Sequence, residues 1–178
     1  MLSCHYDYLQ RSSGAVAERI SLAEAKLFLR VDYNDDDLLI SEMIVSARIH
    51  AEHYIASALV EQEWTVHYPD FSAKEIVLPM SPALSITAII SYDSSYAPTV
   101  IASPNYQLVL PDKLIFINTI NAHMLKIVYR TSPKAHNEMA LKHAMLHHIA
   151  LSYEMRSSSA PLPAQSRDIY ASYKKVRV

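Results

Sequence analysis

From Asp36 to Leu59 the apolar residues recur at helical spacing. Turned by about 100° per residue, Ile40, Met43, Ile44, Ala47, Ala51, Tyr54, Ile55 and Ala58 fall on one stripe. The spacing predicts a helix roughly 36 Å long, at 1.5 Å per residue. A second, smaller stripe of Leu38, Val45, Ile49 and Ala56 lies opposite. Glu42, Ser46, His50, His53 and Ser57 fill a polar arc between the two. A surface helix needs only one apolar face. Two faces imply burial on both sides, by another part of the chain or by a second subunit. Leu38, Val45 and Ile49 are therefore candidate subunit-contact residues.

A shorter helix precedes the long one. Ser21 and Glu24 form the S-x-x-E capping pattern, and Ile20 stands where a staple residue would. Leu22, Ala25 and Leu29 give the inner face, with Phe28 at its margin. The turn from Val31 to Asp37 is acidic. Asn34 or Asp35 is expected to cap the long helix, with Asp36 and Asp37 in its first turn, where carboxylates oppose the helix dipole. Capping accounts for these acids without a metal. A calcium loop needs alternating ligands, a glycine and a distal Glu, and this turn has none of that pattern.

Gly14 is the only glycine. Neither a phosphate-binding P-loop nor a dinucleotide fingerprint can be written without glycines, and no G-x-S-x-G nucleophile elbow is possible. Turns must rely on Pro, Asn, Asp and Ser. Cys4 is the only cysteine, which excludes an intrachain disulfide and a thiolate zinc site. Charged residues make up 19% of the chain and apolar ones 51%, so part of a charge-poor surface is expected to be covered by partners. The net charge of −2 gives no support for a large basic nucleic-acid surface. No apolar run approaches the roughly 18 residues that span a membrane. The start of the chain has no signal-peptide core, which leads us to expect a cytoplasmic protein or part of an assembled particle.

The remaining segments give an α+β class. Residues 1–20 read as a flexible N-terminal arm. Residues 21–156 read as one domain, with a helical core at 21–60 and 135–156 and an inserted, antiparallel β-rich lobe at 63–130. Strands are expected at Trp64–Tyr68, Glu75–Leu78, Ile86–Tyr92, Thr99–Ile101, Tyr106–Leu110, Leu114–Ile117 and Met124–Tyr129. The second long helix, Ala135–Arg156, is apolar nearly all round and so should be buried beside the first. Residues 157–164, rich in Ser and Pro, read as a linker. Residues 165–178 carry Arg167, Ile169, Tyr170, Tyr173, Lys174, Lys175 and Arg177. That end reads as a solvated tail, a weak DNA contact, or an anchor that orders on a partner protein. The tether before it favours the anchor.

Chemistry is hard to place. His143 and His147 have the i, i+4 spacing of a zinc-binding pair, but H-A-M-L-H lacks the general-base Glu of H-E-x-x-H. A metal-dependent hydrolase built on that pair, and a small DNA-binding regulator using the basic tail, are the alternatives to a structural role. No catalytic, cofactor or metal residue is assigned, and we expect a protein that is not an enzyme.

Several stretches together resemble one family. SLAEAKLFLRVD, a D-D-x-L-x-x-x-I-x-x-A-like register across Asp36–Ala47, and IVLPMSPALSITAIISY at Ile76–Tyr92 are similar to the tailed-phage head–tail connector (adaptor) family, also found in gene transfer agents. KIVYR at Lys126–Arg130, Y-E-M-R at the end of Ala140–Arg156, and Ile169–Lys174 extend the likeness, which runs over about residues 18–178. The chain departs from the pattern where Thr131-Ser132 replace a common glycine and Lys174 replaces Arg. The resemblance implies two long helices and a short N-terminal one around an inserted β-rich lobe. It also implies a structural role: a homo-oligomeric ring of about a dozen copies beneath the capsid portal. Such a ring extends the channel for double-stranded DNA, without binding it specifically, and meets the next neck or tail protein. By the same resemblance, the tail of Ile169, Tyr170, Tyr173, Lys174, Lys175 and Arg177 reaches the portal, and no membrane is involved.

Overall fold

A computed structural model describes residues 8–12, 17–133, 138–157 and 160–174. The chain divides into two compact units, Met1–Val16 with Val60–Pro133, and Ala17–Leu59 with Lys134–Val178. The first is an antiparallel β-lobe and the second is helical, which gives the α+β class.

The helical unit starts at α1 (Leu22–Leu29) and α2 (Asp37–Ile55). Ser21 caps α1 as its sequence demands. Its hydroxyl accepts from the Glu24 N–H at 3.2 Å, and the Glu24 carboxylate accepts from the Ser21 N–H at 2.9 Å. Ile20 is buried against the same core. The expected core stripe of α2 is also where the burial falls: Ile40, Met43, Ile44, Ala47, Ala51 and Ile55 are inaccessible or nearly so. They pack with Leu141, Ala144, Met145 and Ile149 of α3 (Glu138–Met155). The helix α2 ends at Ile55, four residues short of the expected Leu59.

The lack of glycine shows in how the helices stop. A left-handed residue usually ends a helix, and that residue is usually Gly. Here Arg30, Ala56 and Arg156 take those positions at φ 58°, 52° and 50°. After each, the chain closes on the last turn. Val31 N–H donates to the Lys26 carbonyl, Ser57 N–H to Glu52, and Ser157 N–H to Ser152. A Cβ in this conformation costs about 1–2 kcal/mol.

The segment expected to order as an anchor on a partner is ordered on the chain's own helical unit. Ala164–Ala171 forms a fourth helix, α4, with Tyr170 fully buried and Ile169 and Tyr173 packed on the helical core. Ser166 is buried as well, and its hydroxyl donates to the Ala144 carbonyl of α3 at 2.7 Å. The segment is apolar on one face, and its own unit already offers the groove that covers it.

The lobe is a six-stranded antiparallel sheet. It contains β1 (Tyr8–Arg11), β2 (Gln62–Val77), β3 (Ala83–Tyr92), β4 (Pro98–Val100), β5 (Tyr106–Val109) and β6 (Lys113–Thr131). Its order is β1-β2-β6-β3-β4, with β5 on β6. Two expected strand pairs are each one long strand. β2 runs through Pro69; among the described residues its pairing with β1 ends at His67, and an edge tolerates a residue without N–H. β6 carries Phe116 to Thr119 against Lys74 alone, a wide bulge that its sequence does not announce. The lobe core gathers Trp64, Val66, Tyr68, Phe71, Leu114, Phe116, Leu125, Ile127 and Tyr129.

The arm expected at 1–20 is corrected where it is described. Tyr8–Arg11 pairs antiparallel with Trp64–His67 of β2, and Leu9 packs on the lobe core. Farther along, Glu18 reaches Arg48 of α2 at 2.7 Å, and the Arg19 guanidinium donates to the Leu59 carbonyl at 2.6 Å. Four residues are too short to show strand periodicity alone; the edge of β2 supplies the reason they extend.

Candidate functional site

Among the described residues no group of three or more His, Cys, Asp or Glu side chains could hold a metal. Cys4 lies outside the described residues. His143 and His147 do sit together on α3, ring centres 4.5 Å apart. Their neighbour is Phe28 of α1, edge-on at 6.0 and 5.6 Å. That arrangement is aromatic packing between two helices. His50, in the polar arc of α2, meets the buried His148 ring edge-on at 5.2 Å.

The acidic turn does more than cap. Asp36 occupies the N-cap position of α2, yet its side chain makes no capping bond. Its carboxylate instead accepts from the Tyr153 hydroxyl at 2.5 Å, from Arg156 at 2.9 Å and from the Tyr33 hydroxyl at 3.2 Å. Those donors, Tyr153 first, hold the carboxyl below its ordinary range. Asp37 pairs with Lys26 of α1 at 2.6 Å. The turn thus ties the start of α2 to α1 and to the end of α3.

A second polar cluster lies inside the unit. Arg48 is 1% exposed, and it donates to Glu52 one turn on at 2.7 Å and to Glu18. The other Glu52 oxygen accepts from the Leu59 N–H at 2.8 Å. These charges hold the residues on either side of the helical unit's exits; their role is structural.

What is left for function is surface. The proposed contact residues separate by exposure: Leu38 is 75% exposed, while Val45 and Ile49 are half-buried. None of the three belongs to the helical core cluster. Of the tail residues, Tyr170 is inside the core, and Ile169 and Tyr173 lean on it. Lys174 sits 5.3 Å from the centre of the Tyr54 ring. Lys175 and Arg177 lie outside the described residues.

One surface was not visible in the sequence. On β6, Lys113 is flanked in register by Val77 of β2 and Val109 of β5, and Ile115 by Glu75 and Gln107. Directly paired residues point to the same face. Val77 and Val109 are 49% and 37% exposed, and the adjoining Leu110 is 69% exposed. Lys113 pairs with Glu75 at 2.8 Å across this face. The stretch Leu114–Ile117 is wholly apolar, so no alternation separates its inner from its outer side.

No curated protein matches the chain in sequence. Residues 19–94 match the model of the phage gp6-like head-tail connector protein family. Among solved structures, the chain is similar to one in the virion of a native gene transfer agent particle, with 18% identity, TM-score 0.75 and 96% of each chain covered. It is also similar to a chain in the neck of an empty gene transfer agent particle computed with C6 symmetry. There the identity is 19% and the TM-score 0.74, over 96% of this chain and 97% of that one. A third likeness is to the neck of a native particle computed with C12 symmetry, at 17% identity and TM-score 0.73, over 96% of this chain and 97% of that one. From Arg19 to Ser94 this chain thus carries the sequence pattern of the gp6-like head-tail connector family, and over nearly its whole length it has the fold of a gene transfer agent neck protein.

Proposed function

We propose that the chain is a structural head–tail adaptor of a phage or gene transfer agent particle. In this reading several copies form a ring beneath the portal, continue the DNA channel and receive the next neck or tail protein. One observation carries the reading: the family match and the neck-protein fold coincide on the same helices and the same first strands. Two physical features support it. The α2 stripe of Leu38, Val45 and Ile49 is left outside the chain's own core and offers a subunit contact. The net charge of −2 lets DNA pass without being held, because like charges oppose binding to phosphate.

Tyr170 is committed to the chain's own core, with Ile169 and Tyr173 against it. We assign portal attachment to the basic end, Lys174, Lys175 and Arg177, with α4 positioning it. The role is that of a joint rather than a catalyst. The hydrolase and DNA-regulator alternatives gain no support, since His143 and His147 acquire no third ligand among the described residues.

Electron microscopy of particles carrying a tagged copy tests this. The expected result is a ring of density at the neck, directly below the portal. Density at the tail tip, or particles without the chain, overturns it.

A further inference from the structure

We infer that the α2 stripe of one copy packs on the outer β2–β6–β5 face of the next copy, with Glu42 of the first opposite Lys113 of the second. The inference rests on the ring reading above and names the two halves of its interface. A closed ring of more than two identical chains is joined head to tail, so each copy must present two different, complementary patches. This chain has two that suit each other.

The first patch is Leu38, Val45 and Ile49 on α2, which run about 16 Å along the helix. Glu42 stands one turn from Leu38, exposed, with no hydrogen bond or ion pair among the described residues. The second patch is Val77, Lys113 and Val109, one row across three strands, with Leu110 beside it. Three strands at about 4.8 Å spacing give a strip about 10 Å wide. A helix with its side chains is about 10–12 Å across, so one helix fits one strip.

Charge makes the pairing directional. Each patch is largely apolar: the helix patch carries the Glu42 carboxylate, and the sheet patch the Lys113 ammonium, with Glu75 in the row beside it. Lys113 is bound to Glu75 in a pair whose side chains are 41% and 58% exposed. An exposed pair of that kind holds its partners weakly. Burial under a neighbouring helix strengthens the attraction between Lys113 and a second carboxylate. A stripe laid on another copy's stripe sets Glu42 against Glu42, and a sheet face on a sheet face sets Lys113 against Lys113. The stripe self-pairing is repulsive, which, with the two unlike patches a closed ring needs, favours the head-to-tail contact.

The test uses full-length chain assembled into particles. With Cys4→Ser as background, Glu42→Cys and Lys113→Cys are combined in one chain, and assembled particles are oxidised. The expected result is a ladder of cross-linked multimers, absent from either single variant. In parallel, Glu42→Lys and Lys113→Glu should each cut incorporation into particles by about tenfold or more, since like charges brought together cost several kcal/mol. The double reversal should restore it. Rings seen at the neck without a ladder, and indifferent to both reversals, overturn this pairing while leaving the adaptor reading intact. Particles of the parent chain without a neck ring overturn both.

Discussion

The Tyr153 hydroxyl donates to the Asp36 carboxylate at 2.5 Å, joining the last turn of α3 to the residue that opens α2. The two are 117 positions apart in the chain. Arg156 and Tyr33 complete the carboxylate's partners, and the Arg156 guanidinium also lies over the Tyr153 ring. The bond holds Asp36 below its ordinary 3.8 and pushes the Tyr153 hydroxyl above its ordinary 10.0. A depressed carboxyl stabilises the fold above its unfolded value, and that contribution is lost as pH falls through the folded one. A raised phenol stabilises below its unfolded value and loses its contribution as pH rises through the folded one. The latch is therefore fully effective between about pH 4 and pH 10. Asp36→Ala and Tyr153→Phe should each lower the thermal midpoint by a few degrees at pH 7. Pairing the two should cost less than the sum, because they remove one shared interaction. Thermal scans across pH measure both effects, and Asp36→Asn should flatten the acid limb.

Arg48 and Glu52 are both 1% exposed, and each satisfies groups the other does not reach. Breaking a buried pair by removing one partner costs about 3–5 kcal/mol, because a buried charge is left alone. Arg48→Met should be destabilising by that amount in urea or guanidinium titration. Arg48→Met with Glu52→Gln should recover part of the loss. Glu52 also holds the Leu59 N–H, and Gln keeps an acceptor there.

Tyr170 decides between an internal and an external role for the last helix. Its ring is fully buried, and its hydroxyl has no hydrogen-bond partner among the described residues. Burial pushes that hydroxyl well above the usual phenol range. Tyr170→Phe removes a buried group that gains nothing from the fold, so stability should hold or rise slightly. Tyr170→Ala leaves a cavity and should cost about 3–5 kcal/mol in the isolated chain, read by chemical denaturation. A tail whose tyrosine served only a partner would leave the isolated chain unchanged in both variants.

The parts of this fold that were legible in the sequence are those set by local rules. Ser21 and Glu24 announce a cap because their bonds span three residues. Ile40 to Ile55 announce a buried face because helical spacing repeats across the whole element. The parts that were not legible depend on residues far away. Tyr8–Arg11 becomes a strand only through the edge of β2. Asp36 reads as a first-turn carboxylate until Tyr153 is brought to it. The burial of Arg48 likewise depends on Glu18, 30 residues away, and on Glu52, which close around it. The last segment reads as an anchor for a partner because nothing in its own residues states that the chain's own core takes up Tyr170. The candidate surfaces divide in the same way. The second stripe of α2 follows from periodicity, whereas the outer face of β6 hides in an unbroken apolar run.

His148 gives the helical unit a second acid sensitivity, at higher pH than Asp36. The ring is fully buried on α3, its Nε2 lies 3.0 Å from the Ala160 carbonyl, and its Nδ1 has no hydrogen-bond partner among the described residues. The neutral ring donates from Nε2 and so ties the segment before α4 to α3. Burial, above all, pushes its pKa below the ordinary 6.5, with the nearby His50 acting in the same direction and the Ala160 bond opposing both. In the unfolded chain the ring takes up its proton near 6.5, while in the fold it stays neutral to lower pH. The unfolded state therefore binds more protons below that value, and stability falls as the solution is acidified. The contribution is full above 6.5 and declines from there toward the folded pKa. His148→Gln keeps a donor for Ala160 and removes the titration. It should reduce the stability loss that begins near pH 6.5, leaving the share of His67, whose pKa burial also lowers, and the Asp36 limb below about pH 4 in place. Denaturation midpoints of the two proteins from pH 7.5 to pH 3 separate the limbs. Superimposable curves between pH 6.5 and pH 5 exclude His148 as their source.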